Sequence, residues 1–169
     1  MDRESFDRLL LQHLSAAQRF AIRLTGDAHA AEDLLHDSIV RAVRGCDGFR
    51  GQARFTTWLF QIIVNCFRDR LKARGMEEAD AEVVDARMPD PASAIDEIEL
   101  GRLVAQRVSS LPPRQREVMV LVVFEDMSVW DAAQVLGISE TNVRVNLSYA
   151  RQRLKQELAG FLSENHRGI

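Results

Sequence analysis

The 169-residue sequence predicts an all-α fold, built as two small helical domains joined by a flexible acidic linker. Three observations carry this. Apolar residues recur at three- and four-residue spacing through most of the chain, as one buried helix face requires. No stretch alternates apolar and polar residues long enough for a strand, and no solenoid-type repeat is present. One segment, residues 75–94, breaks the helical pattern, with Pro89 and Pro91 one residue apart within a run of acids.

The first domain, residues 1–74, opens with Phe6, Leu9, Leu10, His13 and Leu14 on one helical stripe. Thr25-Gly26-Asp27 interrupts it, and Asp27 is placed to cap a second helix that buries Leu34, Leu35, Ile39 and Val43. The stretch from Gly45 to Gly51 holds three glycines and reads as a loop. A third helix follows from about Thr56, burying residues drawn from Leu59, Ile62, Ile63, Cys66, Phe67 and Leu71. Residues 75–94 then form the linker, where closely spaced prolines forbid a regular helix. Its charge suits a solvated, self-repelling tether, with an acidic mimic of nucleic acid as the alternative. The second domain, residues 95–169, begins with a helix over 95–109. Leu111-Pro112-Pro113 punctuates, and Arg114 to Phe124 gives a second helix that uses the prolines as its start.

Net charge of -3 argues against a nucleic-acid partner only as an average. Residues 1–74 are net +3, residues 75–99 net -8 and residues 100–169 net +2. Within the first block, residues 41–74 carry 8 basic and 2 acidic groups, a concentration suited to phosphate. No apolar run reaches the roughly 20 residues of a membrane span, and the acidic N-terminus does not read as a signal peptide. A cytoplasmic protein without direct membrane insertion is expected. Cys46 and Cys66 are too few for a disulfide framework. His13, His29, His36 and His166 have no metal-ligand spacing, and no phosphate-cradling glycine motif occurs. The chain is therefore expected to be no enzyme, with no cofactor and no small-molecule substrate.

The clearest signal lies in the second domain. Ser128 followed by Asp131 fits a capping box. Val129 to Leu136 forms a short helix with the small pair Ala132-Ala133, Gly137 supplies a left-handed stop, and Ser139 can cap the next helix. This is helix-turn-helix grammar. On a wheel with Val143 at zero, Leu147, Ala150, Leu154 and Leu158 form the buried face. Thr141, Arg144, Val145, Ser148, Gln152 and Lys155 gather opposite, a mixed polar and basic surface suited to a major groove. In the first domain, aromatics interleave with arginines (Phe49, Arg50, Arg54, Phe55, Trp58, Phe60, Arg68, Arg70). That pattern suits single-stranded DNA, where bases stack on rings, and it also suits an ordinary core.

Glu32-Asp33-Leu34-Leu35-His36-Asp37, Arg41-Ala42, Phe49-Arg50-Gly51, Thr57-Trp58-Leu59-Phe60 and Asn65 resemble the second conserved domain of bacterial sigma factors. Leu111 to Val118, Leu136-Gly137-Ile138-Ser139 and Val143-Arg144 to Arg151 resemble the fourth. Together the matches cover nearly the whole chain outside the linker, with nothing like the first or third sigma domain. The chain thus resembles the extracytoplasmic function, or group-four, sigma factors. The resemblance implies a dissociable specificity subunit of RNA polymerase. It places Asp33, Asp37, Arg41 and Arg44 against core polymerase. It places Phe49, Arg50, Arg54, Phe55, Trp58, Asn65 and Arg68 at single-stranded minus-ten DNA, with one flipped base held by the loop. Thr141, Arg144, Val145, Ser148, Tyr149 and Arg151 would read the minus-thirty-five duplex of promoter DNA. It also implies an anti-sigma factor as a partner. Two rival readings share these motifs: a sigma mimic that titrates an anti-sigma factor, and a free-standing helix-turn-helix regulator.

Asn146 and Tyr149 stand where relatives usually carry arginines, which leaves the recognition helix less basic. Promoter DNA binding by the second domain should therefore show a shallow dependence on salt, since each phosphate contact contributes a slope of about -0.9. A slope as steep as that of strongly basic relatives would refute the expectation.

Overall fold

The computed structural model describes residues 3–49, 51, 53–75 and 97–165, and side chains within these except at 97–100 and 160–165. The expected linker, residues 75–94, lies outside the described residues apart from Gly75. Seven α-helices occur among the described residues: α1 (Arg3–Thr25), α2 (Ala28–Arg44), α3 (Phe55–Ala73), α4 (Glu97–Ser110), α5 (Pro113–Met119), α6 (Val129–Leu136) and α7 (Glu140–Asn165). A single 3-10 turn, Cys46–Gly48, sits in the glycine-rich loop.

The N-terminal three helices pack around the buried side chains of Phe6, Phe20, Leu24, Leu34, Leu59 and Ile63. The face of α1 that is fully buried differs from the expected one. Phe6 lies in it, but Leu9, Leu10, His13 and Leu14 are only half-buried, and Ala17, Phe20, Ala21 and Leu24 complete it. The cause is that the C-terminal half of α1 is covered on more sides, by α2, α3, α4 and the segment after α5. Ala17 and Ala21 admit close neighbours there, and Phe20 stacks on Phe60 with ring centroids 4.3 Å apart. Asp27 caps α2 as expected, its carboxylate accepting from the Ala30 N–H at 2.7 Å. Helix α3 begins at Phe55 and buries Leu59, Ile63, Cys66 and Phe67, while Ile62 and Leu71 stay half-buried.

In the C-terminal half, Pro113 opens α5 at a position whose N–H would be unsatisfied anyway. The expected helix from Arg114 to Phe124 is not regular throughout. It is α-helical to Met119 and then widens into a π-helical turn, Val120–Phe124, closed by Glu125 N–H donating to the Val120 carbonyl at 3.0 Å. Four consecutive residues, Val118 to Leu121, are buried, which one face of a surface helix cannot achieve. They are buried because this segment is enclosed on both sides, by α7 and α6 within its own half and by α1 opposite.

The two predicted domains pack against each other. Helix α6 lies along α3, and α4 lies along α1. At the second contact Gly26, with φ +71°, approaches so closely that a Cβ there would stand 2.4 Å from the Ser109 Cβ. Gly137 also has positive φ, +65°, but open space around it. Two glycine substitutions should therefore separate backbone strain from packing. Gly137→Ala should cost about 1 kcal/mol, from the left-handed backbone alone. Gly26→Ala should cost more, because Ser109 must also move. Urea unfolding followed by circular dichroism measures both, and equal losses would contradict the close approach.

Candidate nucleic-acid and polymerase interfaces

The duplex-reading element is assembled by backbone chemistry that the sequence specifies. The Ser128 hydroxyl accepts from the Asp131 N–H at 3.0 Å and donates to the Asp131 carboxylate at 2.7 Å, fixing the start of α6. Gly137 and Ile138 donate their N–H groups back to the Ala133 carbonyl, closing the turn. Ser139 accepts from the Asn142 N–H at 3.2 Å and caps α7. Ala132, Ala133, Val135 and Leu136 of α6 are buried with Val143, Leu147 and Ala150 of α7, so the helices are held at close range. Leu154 and Leu158 of the same stripe are half-buried.

All six residues expected at duplex DNA are exposed: Thr141, Arg144, Val145, Ser148, Tyr149 and Arg151. Val145 and Tyr149 are large exposed side chains, 42% and 57% exposed, on a helix otherwise polar on that side. Arg144 is steadied by Glu140 at 2.9 Å, an exposed pair that gives way readily to a phosphate or base. Asn146 donates to the Asn142 carbonyl at 2.9 Å and so is engaged with its own helix. Trp130, 58% exposed on α6, extends the apolar surface of the motif, and wheel reasoning confined to α7 could not find it.

On the first domain the aromatics divide. Phe6, Phe49, Phe55 and Trp58 form one edge-on and tilted cluster, with Phe49 to Phe55 at 5.4 Å and Phe49 to Trp58 at 5.3 Å between centroids. His13 joins it 5.3 Å from Phe55, its Nδ1 within 2.8 Å of the Leu9 carbonyl. Phe55 is 6% exposed, its ring packed against Phe6, Phe49 and Trp58 beneath the loop. Phe49 and Trp58 are half-buried and keep part of their faces in solvent. Arg54 and Asn65 are exposed, and Arg50 lies outside the described residues.

Arg68 is half-buried on α3. It reaches across to the second domain, its Nε and Nη2 donating to both carboxylate oxygens of Glu117 at 2.9 and 2.7 Å. Its Nη1 donates to the Leu136 carbonyl at 3.3 Å. Glu117 is fully buried and also accepts from Arg114 at 3.2 Å. Beside it, Arg116 donates to the Leu24 and Leu111 carbonyls at 2.7 and 3.0 Å and lies 5.8 Å from the Phe67 ring. Burial lowers the Arg116 pKa, with Glu117 opposing, yet a guanidinium remains charged at neutral pH. Arg23 completes this seam, bonded to Glu125 at 2.6 Å and 5.1 Å from the centroid of Phe124.

The residues expected at core polymerase, Asp33, Asp37, Arg41 and Arg44, are all exposed on α2. Three of them, Asp37, Arg41 and Arg44, line a shallow cleft together with Asp69 and Arg70 of α3. Two ion pairs cross it: Arg41 with Asp69 at 2.9 Å, and Arg70 with Asp37. Arg70, grouped by sequence with the DNA-facing arginines, thus belongs to this surface. Pairs spanning 28 and 33 positions leave no local signal in a sequence. The hydrogen bond that Arg41 donates to Asp69 raises the Arg41 pKa. Among the described residues no three His, Cys, Asp or Glu side chains are grouped to hold a metal ion, and no helix is long and apolar enough to cross a membrane.

A helix-turn-helix with an exposed recognition face, joined to a second helical module with an aromatic-floored basic helix, is the architecture of a DNA-binding protein. Residues 9–76 match the sigma-70 region 2 family and residues 101–154 match the sigma-70 region 4 family. The RNA polymerase sigma-H factor of Pseudomonas aeruginosa is 30% identical over 96% of this chain and 91% of its own length. The SigM factor of Mycobacterium tuberculosis strain H37Rv is 32% identical, over 96% and 81% respectively. The SigE factor of Mycolicibacterium smegmatis is also 32% identical, but the match spans only 64% of that protein. Among solved structures, the sigma factor RpoE from Bartonella quintana, in complex with the anti-sigma factor NepR, aligns with a TM-score of 0.73 at 29% identity. That alignment covers 92% of this chain and 98% of RpoE. CnrH in complex with the cytosolic domain of CnrY aligns at 0.68 and 28%, covering 94% and 90%. The chain belongs to the sigma-70 family of RNA polymerase sigma factors, in its extracytoplasmic function branch.

The α2–α3 cleft carries a pH signature. The Arg70 hydrogen bond holds the Asp37 pKa below its ordinary 3.8, aided by the charges of Arg70, His36 and Arg41 and opposed by partial burial. Stability from a depressed carboxylate is present above the unfolded pKa and is lost as pH falls through the lower folded value. An NMR titration of the Asp37 carboxyl carbon should give a midpoint under 3.8, returning toward that value in Arg70→Ala. A midpoint unchanged by the substitution would exclude the pair.

Proposed function

We propose that the chain binds core RNA polymerase and directs promoter-specific initiation, with residues 1–74 melting the minus-ten region and residues 95–169 reading the minus-thirty-five duplex. The observation that carries this is the exposed face of α7, where Arg144, Val145, Ser148 and Tyr149 stand together on a helix fixed by the Ser128 cap and the Gly137 turn. A face of donors, a cation and apolar surface on a rigid helix is what base-edge readout in a major groove needs. Phe49, Trp58, Arg54 and Asn65 offer the partly exposed rings and polar groups that a melted strand needs. The exposed acids and arginines of α2 and its cleft form the polymerase-facing surface. Bond-making chemistry belongs to the polymerase, and this chain has no activity alone. RpoE forms a complex with the anti-sigma factor NepR, and this chain would likewise bind an anti-sigma factor.

The test is transcription by sigma-free core polymerase on fragmented genomic DNA of the source organism, with transcript starts sequenced. Starts that appear only with this protein and share two upstream motifs are expected. Stable binding to core without new starts would contradict the promoter-reading role. Failure to bind core would favour the mimic or the free-standing regulator. Arg144→Ala should weaken use of promoters bearing the upstream motif by about 1–3 kcal/mol, relaxing selection at one position of it. Equal loss at all start sites would instead assign Arg144 to phosphate contact.

A further inference from the structure

The recognition helix carries few free cations where it faces DNA. Asn146 is turned back on the Asn142 carbonyl at 2.9 Å, and Tyr149 is uncharged. Arg144 shares its guanidinium with Glu140. Roughly half or more of the hydrogen bonds between a protein and DNA go to phosphate and sugar, so further donors are needed. The other helix of the motif, α6, offers them. It buries Ala132, Ala133, Val135 and Leu136. Its outward face is set by Trp130 and Gln134, one turn apart and both exposed. The indole N–H and the side-chain amide both donate, and neither carries a charge. In a helix-turn-helix the first helix crosses the sugar–phosphate backbone beside the groove that the second one enters. The carboxylates of the motif, Asp131 and Glu140, are both engaged. Asp131 accepts from the Ser128 hydroxyl at 2.7 Å, and Glu140 from Arg144 at 2.9 Å.

We propose that the outward face of α6 is a second duplex-binding surface, on which Trp130 and Gln134 hold the phosphate backbone through neutral donors. The indole also supplies an apolar face to the deoxyribose edge, as an amphipathic ring can. The proposal deepens the duplex-binding role of residues 95–169 and rests on that reading. A cation placed on phosphate releases a condensed counterion, and salt erodes the affinity it gives; a neutral donor releases none. The α6 face thus adds affinity that moderate salt leaves in place.

Fluorescence anisotropy of the full-length protein with a labelled duplex of mixed sequence, two helical turns long, tests this across a salt series. Trp130→Ala should weaken binding about tenfold, the scale of one hydrogen bond to a charged group. Trp130→Phe keeps a ring without the donor and should fall between; affinity equal to wild type would overturn the donor role of the indole. Gln134→Ala should also weaken binding, and Gln134→Glu should weaken it further by setting a like charge at phosphate. Equal affinity of the two Gln134 variants would overturn the contact. The slope of log K against log salt should stay at its wild-type value in Trp130→Ala and Gln134→Ala. A flatter slope would mean that cations of α7 had been lost instead, and would overturn the neutral contact. Unchanged duplex affinity with weaker binding to core polymerase would assign the face to a protein partner and overturn the proposal. Transcription with core polymerase, run in parallel, separates this from the promoter reading. Weakened duplex binding in the variants, with no promoter-specific starts from the wild type, upholds the α6 face and refutes that reading. Normal starts with unchanged affinity in every variant refute the α6 face alone.

Discussion

The buried carboxylate of Glu117 is the constraint on which the packed form of this protein depends. Removing a charge from water is costly unless it is paired and hydrogen-bonded. Here two arginines, Arg68 and Arg114, meet that need, one from each side of the seam. The helix that carries Glu117 also buries Val118 and Met119, because it packs against α7. Two arginines at the seam also reach backbone: Arg116 donates to the Leu24 carbonyl, and the third Arg68 nitrogen to the Leu136 carbonyl.

The helix-turn-helix illustrates the opposite regime, in which local chemistry suffices. Ser128, Asp131, Gly137 and Ser139 each satisfy a terminal backbone group or a left-handed φ within a few residues. That is why the motif was legible in sequence, while helical periodicity gave the outward positions of Thr141, Arg144, Val145 and Ser148. The Asp27 cap and the Pro113 start were legible for the same reason.

What sequence could not supply was anything settled by long-range packing. The stripe through Phe6, Leu9, Leu10, His13 and Leu14 has the right period, yet full burial moved to Ala17, Phe20, Ala21 and Leu24 once α4 and the π turn covered them. Phe55 and Trp58 are alike in composition terms, but only the first is turned fully inward. Arg68 and Arg70 are two residues apart on α3 and serve different surfaces, the seam and the α2 cleft. Side-chain type fixes which interactions are available, and the three-dimensional neighbours decide which is made.

The chain holds two tryptophans, and the fold assigns one to each domain. Trp58 is packed edge-on against Phe6 within the aromatic cluster, whereas Trp130 is 58% exposed at the start of α6. Their indoles therefore report on different surroundings, one apolar and one aqueous. Each domain carries its own intrinsic chromophore, and replacing either one with phenylalanine leaves a single-colour optical readout of the other.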